Sequence, residues 1–261
     1  TKLGLELDDG RVVGENEVTH LPPCEPTKII CPHGNYRSRW YEFGGEGEPT
    51  EPTYFHKPVS TLNYHGGQLV LPGGHTYLNY EGELAIVIGK ETRNILLEEA
   101  WAHIAGFTVA NDAGLQDMRE TDAGSMLRVK GADTLCPVGP GIVSGVDVRE
   151  STLRTYRNGK VVQEAVIGVD MWFGIDYLLT DIARHITLLP GDLLLTGTPA
   201  NSRSVDPGDV IEVEITGVGR LRNEVVRGES PKAKLGHCPT DSEEVRRVAL
   251  GNDERIPGHL G

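Results

Sequence analysis

Short apolar runs separated by glycine- and proline-rich turns set the rhythm of the first third of the chain. KIICP, TYFHKP and GGQLVLPGG each read as a short strand bounded by turn residues. LAIVIGK, Leu84 to Lys90, is a continuous apolar run with β-branched residues and a glycine stop, which predicts a buried strand. Leu96, Leu97, Ala100 and Ile104 recur at helical spacing, predicting a helix that ends near Gly106; FTVAND then predicts a strand running to Asp112. Residues 113 to 134 are too polar for core and read as a long loop. RTYRNGKVVQE places two β-like runs around Asn158-Gly159, a strong short-range hairpin signal. Met171, Ile175, Leu178, Leu179, Ile182 and Ile186 follow a 3.6-residue period, and Asp170 can cap that helix. Two Pro-Gly-Asp turns then each feed a strand, and one short helical stretch falls around Ser242 to Leu250.

This order of elements predicts a β-rich α+β fold with few helices. Gly 33 and Pro 16 in 261 residues agree with many turns and argue against a helical bundle. The pattern divides the chain into a short N-terminal β segment and linker (1–26), a main domain (27–227) and a polar C-terminal tail (228–261). A formal net charge of −13 disfavours nucleic acid and anionic membrane surfaces as partners. No apolar run approaches the roughly 20 residues that span a bilayer, and the N-terminal residues lack a signal-peptide core. Cys24, Cys31, Cys136 and Cys238 show no metal or disulfide spacing, so the expectation is a reduced, cytoplasmic protein. GGEGEP and PGGH lack the context of a nucleotide site, and there is no GxSxG elbow.

Candidate chemistry begins at Tyr80-Glu81-Gly82-Glu83, immediately before the buried strand. On an extended backbone residues i and i+2 share a face, so Glu81 and Glu83 can converge on one ion. Gly82 between them leaves room for close approach of a ligand or backbone. Two carboxylates held together repel, and a divalent cation relieves them. Asp112, where the next apolar strand stops, offers a third oxygen. An all-oxygen set suits Mg²⁺, Mn²⁺ or Ca²⁺ better than Zn²⁺. An acid pair on a solvated strand edge has the same spelling; the adjoining apolar runs favour the metal reading.

Five segments in sequence, YEGELAIVIGK, AGFTVANDAGLQDM, KGADTLCPVGPGIV, LLPGDLLLTGTP and PGDVIEVEITGVGRLRN, together resemble the fumarylacetoacetate hydrolase (FAH) family from about Lys28 to about Val226. The resemblance implies a mixed β-roll with a few helices, a homodimer, and one Mg²⁺ or Mn²⁺ per active site held by Glu81, Glu83 and Asp112. It places Lys130 beside the metal and Thr198 of the Gly197-Thr198-Pro199 turn on a substrate carboxylate. It also matches Asn35-Tyr36 and Lys57, the latter expected to bind substrate, and it puts Gln116 and Arg128 in a region of substrate contacts; Gln116 stands where many relatives carry arginine. Arg119 and Arg128 are candidates for clamping a distal carboxylate.

One departure divides the family's chemistries. Hydrolytic members carry N-Y-R-x-H-x-x-E, whose His–Glu pair activates water; this chain reads Asn35-Tyr36-Arg37-Ser38-Arg39-Trp40-Tyr41-Glu42. Arginine stays protonated and has no acceptor, so Arg39 cannot take a proton from water but can fork onto a carboxylate. The resemblance therefore points to the homoprotocatechuate-pathway isomerase/decarboxylase branch, acting on a small anionic oxo-acid, with Glu42 as the candidate acid or base. The alternatives are a C–C hydrolase of an acylpyruvate- or fumarylacetoacetate-like acid, and a non-catalytic ligand-binding relative. His33, His65 and His75 are candidates to replace the absent histidine, and Gly44, Gly45 and Gly47 permit a lid over residues 33 to 48.

Overall fold

The apolar run after Glu83 becomes the strand Gly82–Ile88, buried at every residue. In the computed structural model, which describes residues 4–14, 17–122, 124–233, 236 and 238–251, it lies inside a seven-stranded mixed sheet. The sheet order is Tyr54–Lys57, Ile29–Pro32, Leu193–Leu195, Gly82–Ile88, Ile104–Asn111, Cys136–Val143 and Leu62–Tyr64. Side chains alternate across a strand. Leu84, Ile86 and Ile88 accordingly enter one core cluster while Ala85 and Val87 enter another. A five-stranded sheet built around Thr152–Arg157, Val210–Ile215 and Gly219–Arg227 packs against this one. Gly82 is where they meet most closely: a Cβ there would collide with Thr155 Oγ1 and press on Val213. The glycine between the two glutamates thus serves sheet packing on the face away from them.

The hairpin forms as its turn signal predicts, Thr152–Arg157 pairing with Lys160–Val166. Asn158 and Gly159 take the positive φ values of 51° and 77° that such a two-residue turn requires. Both predicted helices shift. The first is a 3₁₀ segment, Leu97–His103, with only Ala100 buried. Ile104 already pairs with Ile88, so the chain must enter the sheet before an α-helix can develop. The second is shorter than its periodicity, Ile175–Ala183, and begins at Gly174 rather than Asp170. Its expected first turn is pulled extended by Asn35, whose backbone oxygen accepts from Trp172 N–H and whose Oδ1 accepts from Phe173 N–H.

The polar stretch 113–134 is not a solvated loop. It holds the strand Gly114–Leu115, a 3₁₀ turn Gln116–Met118 and the helix Leu127–Lys130, and Ala113 to Met118 are all buried. Its polar side chains go inside because backbone amides satisfy them: Asp117 accepts from Thr76 and Tyr77 N–H, and Asp122 from Arg128 and Val129 N–H. The C-terminal region also joins the fold. Helix Glu243–Leu250, capped by Ser242, buries Val245, Ala249 and Leu250 against Tyr77. No described helix is long and apolar enough to cross a membrane.

Candidate active site

Antiparallel register assembles the acids. Gly82 lies opposite Asn111, which sets Asp112 beside Glu81. Asp112 N–H donates to Glu81 O at 2.8 Å, and Glu81 N–H donates to Asn111 Oδ1 at 2.8 Å. Glu81 and Glu83, two residues apart, face the same side. One oxygen from each of Glu81, Glu83 and Asp112 lies within 4.8 Å of the others. Ligand distances of about 2.0–2.6 Å allow oxygens on one hard divalent ion to stand about 4–5 Å apart, so the triad fits such an ion. Burial, together with Asp112 and Glu81, pushes the Glu83 carboxyl well above its ordinary pKa, as expected where a further positive charge belongs.

Cations already occupy two of the three acids. Lys130 Nζ donates to Glu81 Oε2 at 2.7 Å and to Asp112 O at 2.7 Å, and pairs with Asp112 Oδ2 at 2.9 Å. Burial opposes its charge, but Asp112 and Glu81 raise its pKa above the ordinary lysine range. Burial would likewise raise Asp112, yet Lys130 and Lys57 hold it below the usual carboxylate value. Arg39 forks as its chemistry suggests, to Glu42 at 2.7 Å and Glu81 at 2.9 Å. Glu83 instead accepts the Gly197 N–H at 2.8 Å. Gly197 sits at φ 89°, and a Cβ there would come within 3.0 Å of Asn35 Cβ. The same Asn35 donates to Thr196 O at 2.8 Å, so the Asn35 turn and the Gly197-Thr198-Pro199 turn are locked together.

Arg39, Glu81, Glu83 and Lys130 border a cavity of about 250 Å³, lined also by His33, Phe43, Gln116, Arg119, Met126 and Thr198. Thr198 Oγ1 accepts from Gln163 Nε2 at 3.1 Å, which leaves its hydroxyl proton for a ligand. Gln116 is buried and its Oε1 has no partner among the described residues. Among those residues Arg119 makes no ion pair, whereas Arg39, Lys57, Lys130 and Arg203 all do. Arg39 and Arg119 both lie against Phe43, 4.2 and 5.4 Å from the ring centre.

Other expected residues lie elsewhere. Lys57 is fully buried behind the triad, 2.7 Å from Asp112 Oδ1, and holds that carboxylate rather than lining the cavity. The Arg128 side chain is 56% exposed and 4.0 Å from Asp122, away from the cavity. Glu42 borders a neighbouring hollow, held by Arg39 and by Arg203 at 2.6 Å. Burial raises its pKa, but these arginines outweigh that and lower it. Residues 37–42 form a helix below the glycines of the expected lid, and Trp40 Nε1 donates to Gly47 O. His75 pairs with Asp117 at 2.9 Å, and His65 packs edge-on against His20; of the three histidines only His33 reaches the cavity. Gln163, unforeseen in the sequence, bonds Gly82 N–H, Thr198 and the Pro199 carbonyl, joining both halves of the site. Its signal was a polar residue at an inward position of an alternating strand.

The sequence model of the fumarylacetoacetate (FAA) hydrolase C-terminal family matches residues 28–226. The chain belongs to the fumarylacetoacetate hydrolase family. A 4-hydroxyphenylacetate degradation bifunctional isomerase/decarboxylase from Salmonella dublin is 42% identical over 235 residues, covering 87% of this chain and 54% of that protein. The chain therefore spans about half the length of that bifunctional relative. A crystal structure of 5-carboxymethyl-2-hydroxymuconate delta-isomerase from Mycobacterium smegmatis superposes with TM-score 0.77 at 35% identity, covering 84% of this chain and 86% of that one. A maleylpyruvate hydrolase from Sphingobium sp. SYK-6, solved with manganese(II) and pyruvate, superposes with TM-score 0.66 at 31% identity, covering 78% and 72%. FAH-family relatives of this chain thus include both isomerase/decarboxylases and hydrolases.

Proposed function

We propose that this chain is a divalent-metal-dependent decarboxylase or isomerase of a small 2-oxo or 2-hydroxy-dienoic di- or tricarboxylic acid, acting in aromatic-compound catabolism as a cytoplasmic homodimer. The observation that carries the reading is Arg39: it is 5% exposed, forked between Glu42 and Glu81, and occupies the place where a water-activating base would stand. Glu81, Glu83 and Asp112 would hold Mg²⁺ or Mn²⁺, a Lewis acid that polarises a chelated 2-oxo carboxylate and favours its enolate. The chain's own residues do the rest. Arg39, Lys57 and Lys130 balance the charge of the three acids, so a dication gives the cavity a net positive potential that draws in an anion. Thr198 O–H and the Gln116 amide border the space where the substrate's polar end would lie. Arg119 makes no close ion pair among the described residues, with Glu244 and Glu81 acting on it only as more distant charges, and suits a second carboxylate.

Added Mn²⁺ with β-keto and dienol acids, followed by product analysis, tests the reading; no turnover of any of them would refute it and leave the hydrolase and ligand-binding alternatives. The hydrolase alternative predicts ¹⁸O from labelled water in a newly formed carboxylate, and the proposal predicts none in any carboxylate, exchange at the 2-oxo oxygen being common to both. Arg39→His is expected to lower decarboxylation roughly 100-fold and to introduce ¹⁸O incorporation with an acylpyruvate. An unchanged product and rate would remove Arg39 from the argument. Arg119→Gln is expected to raise KM for an oxo-dicarboxylate about tenfold or more while sparing the monocarboxylate analogue. Equal effects on the two substrates would refute the distal clamp.

A further inference from the structure

We propose that His33 is the catalytic residue that moves the proton on the substrate carbon, an assignment that rests on the reaction class proposed above. His33 follows the strand Ile29–Pro32, with its backbone N–H fixed to Thr53 O at 2.8 Å. Its ring lies 4.7 Å from the Phe55 ring at the cavity mouth. Elimination singles it out. Among the described cavity-lining residues, Arg39, Arg119 and Lys130 are cations without an acceptor, and Thr53 and Thr198 are hydroxyls too weakly basic to remove a carbon-bound proton. Glu81 and Glu83 are the expected metal ligands. Glu42, the acid or base that the sequence suggested, does not line this cavity and is held ionised by two arginines. His33 is left, and its ring nitrogens make no hydrogen bond among the described residues.

Its surroundings suit the task. Lys130 and Arg119 face it as cations, Asp112 and Glu81 as anions; burial, then Lys130, lowers its pKa, so the imidazole is neutral and has a free lone pair at neutral pH. The residue as a whole is nonetheless exposed, which gives its proton a path to solvent. In isomerisation the imidazole takes a proton from the carbon next to the unsaturated system. The C–H electron pair becomes the new C=C bond of a conjugated enolate, and the imidazolium returns the proton further along it. In decarboxylation the C–C pair stays on carbon as CO₂ departs, and that carbon takes the proton on one nitrogen of the neutral imidazole while the other nitrogen accepts a proton from solvent.

The test uses the full chain with Mn²⁺ and oxaloacetate, following pyruvate formation and, by NMR in D₂O, exchange of the C3 hydrogens above the uncatalysed rate. His33→Gln is expected to lower kcat and C3 exchange 100- to 1,000-fold, with KM and calorimetric Mn²⁺ affinity within about threefold of the parent. Free imidazole is expected to restore part of the His33→Ala rate. Exchange and kcat within threefold of wild type in His33→Gln would overturn the assignment. So would a loss of kcat matched by an equal loss of Mn²⁺ affinity, which marks a structural effect. If the wild-type chain itself neither decarboxylates nor exchanges the probe, the failure lies in the reaction class, and the assignment falls with it.

Discussion

Replacing Glu83 by glutamine is expected to abolish turnover while making the metal-free protein more heat-stable. Glu83 is 2% exposed and shares its space with Asp112 and Glu81, and its single backbone donor, Gly197 N–H, does not balance a charge. The sign follows from the raised pKa. At neutral pH the unfolded chain carries this glutamate ionised, whereas the folded, metal-free site disfavours that charge, so the residue works against folding there whether it holds the charge or takes up a proton. Glutamine keeps an oxygen for Gly197 and removes the charge. The metal-free melting temperature should therefore rise by roughly 3 °C or more. The same change deletes a ligand, so Mn²⁺ affinity should fall more than about 100-fold, beyond the loss typical of an outer partner. In the parent, Mn²⁺ at about 100 times its Kd contributes near 2.7 kcal/mol. Thermal melts in EDTA and in Mn²⁺ read both effects, and equal Mn²⁺-induced shifts in the two proteins would exclude Glu83 as a ligand.

Lys130→Met is expected to be the most destabilising of the substitutions considered. The ammonium is 3% exposed as a side chain and touches Glu81, Asp112 Oδ2 and the Asp112 carbonyl. Removing it leaves buried carboxylates short of a counter-charge, a loss of about 3–5 kcal/mol. That corresponds to a melting temperature lower by roughly 10 °C in the absence of metal. A divalent cation would replace part of the missing charge, so the Mn²⁺-induced rise in melting temperature should be larger in this variant than in the parent. A metal-free melting temperature within 2 °C of wild type, a limit set at roughly 1 kcal/mol, would show that the lysine does not hold the acids.

Much of this site is legible in the sequence because its geometry is local. Glu81 and Glu83 need only the two-residue period of a strand to meet, and Asp112 needs only the next antiparallel neighbour. The Asn158-Gly159 hairpin and the Ser242 cap are equally local, since turn and cap chemistry act over a few residues. What resisted reading depends on distant partners. Lys57 has the spelling of a substrate contact, and only the packing of Tyr54–Lys57 against Ile29–Pro32 shows that it stands behind Asp112. Nor can spacing reveal that Arg203 reaches across 161 residues to hold Glu42, or that Asn35 delays the start of the helix at Ile175. The buried polar turn at Gln116–Met118 was hidden for the same reason: its partners, Thr76 and Tyr77, lie some 40 residues earlier.

The docked C-terminal segment has a bearing on how such a site diverges. Thr240 N–H donates to Asp117 O, and Ser242 Oγ bonds Glu120, so this segment grips the short span that carries Gln116 and Arg119 from both sides. The acids that would hold the ion sit instead on or at the ends of the central strands Gly82–Ile88 and Ile104–Asn111, apart from the cluster that the segment forms with Tyr77. On the proposed reading, sequence drift in this segment would retune which acid is accepted while the electrophilic centre stayed as it was.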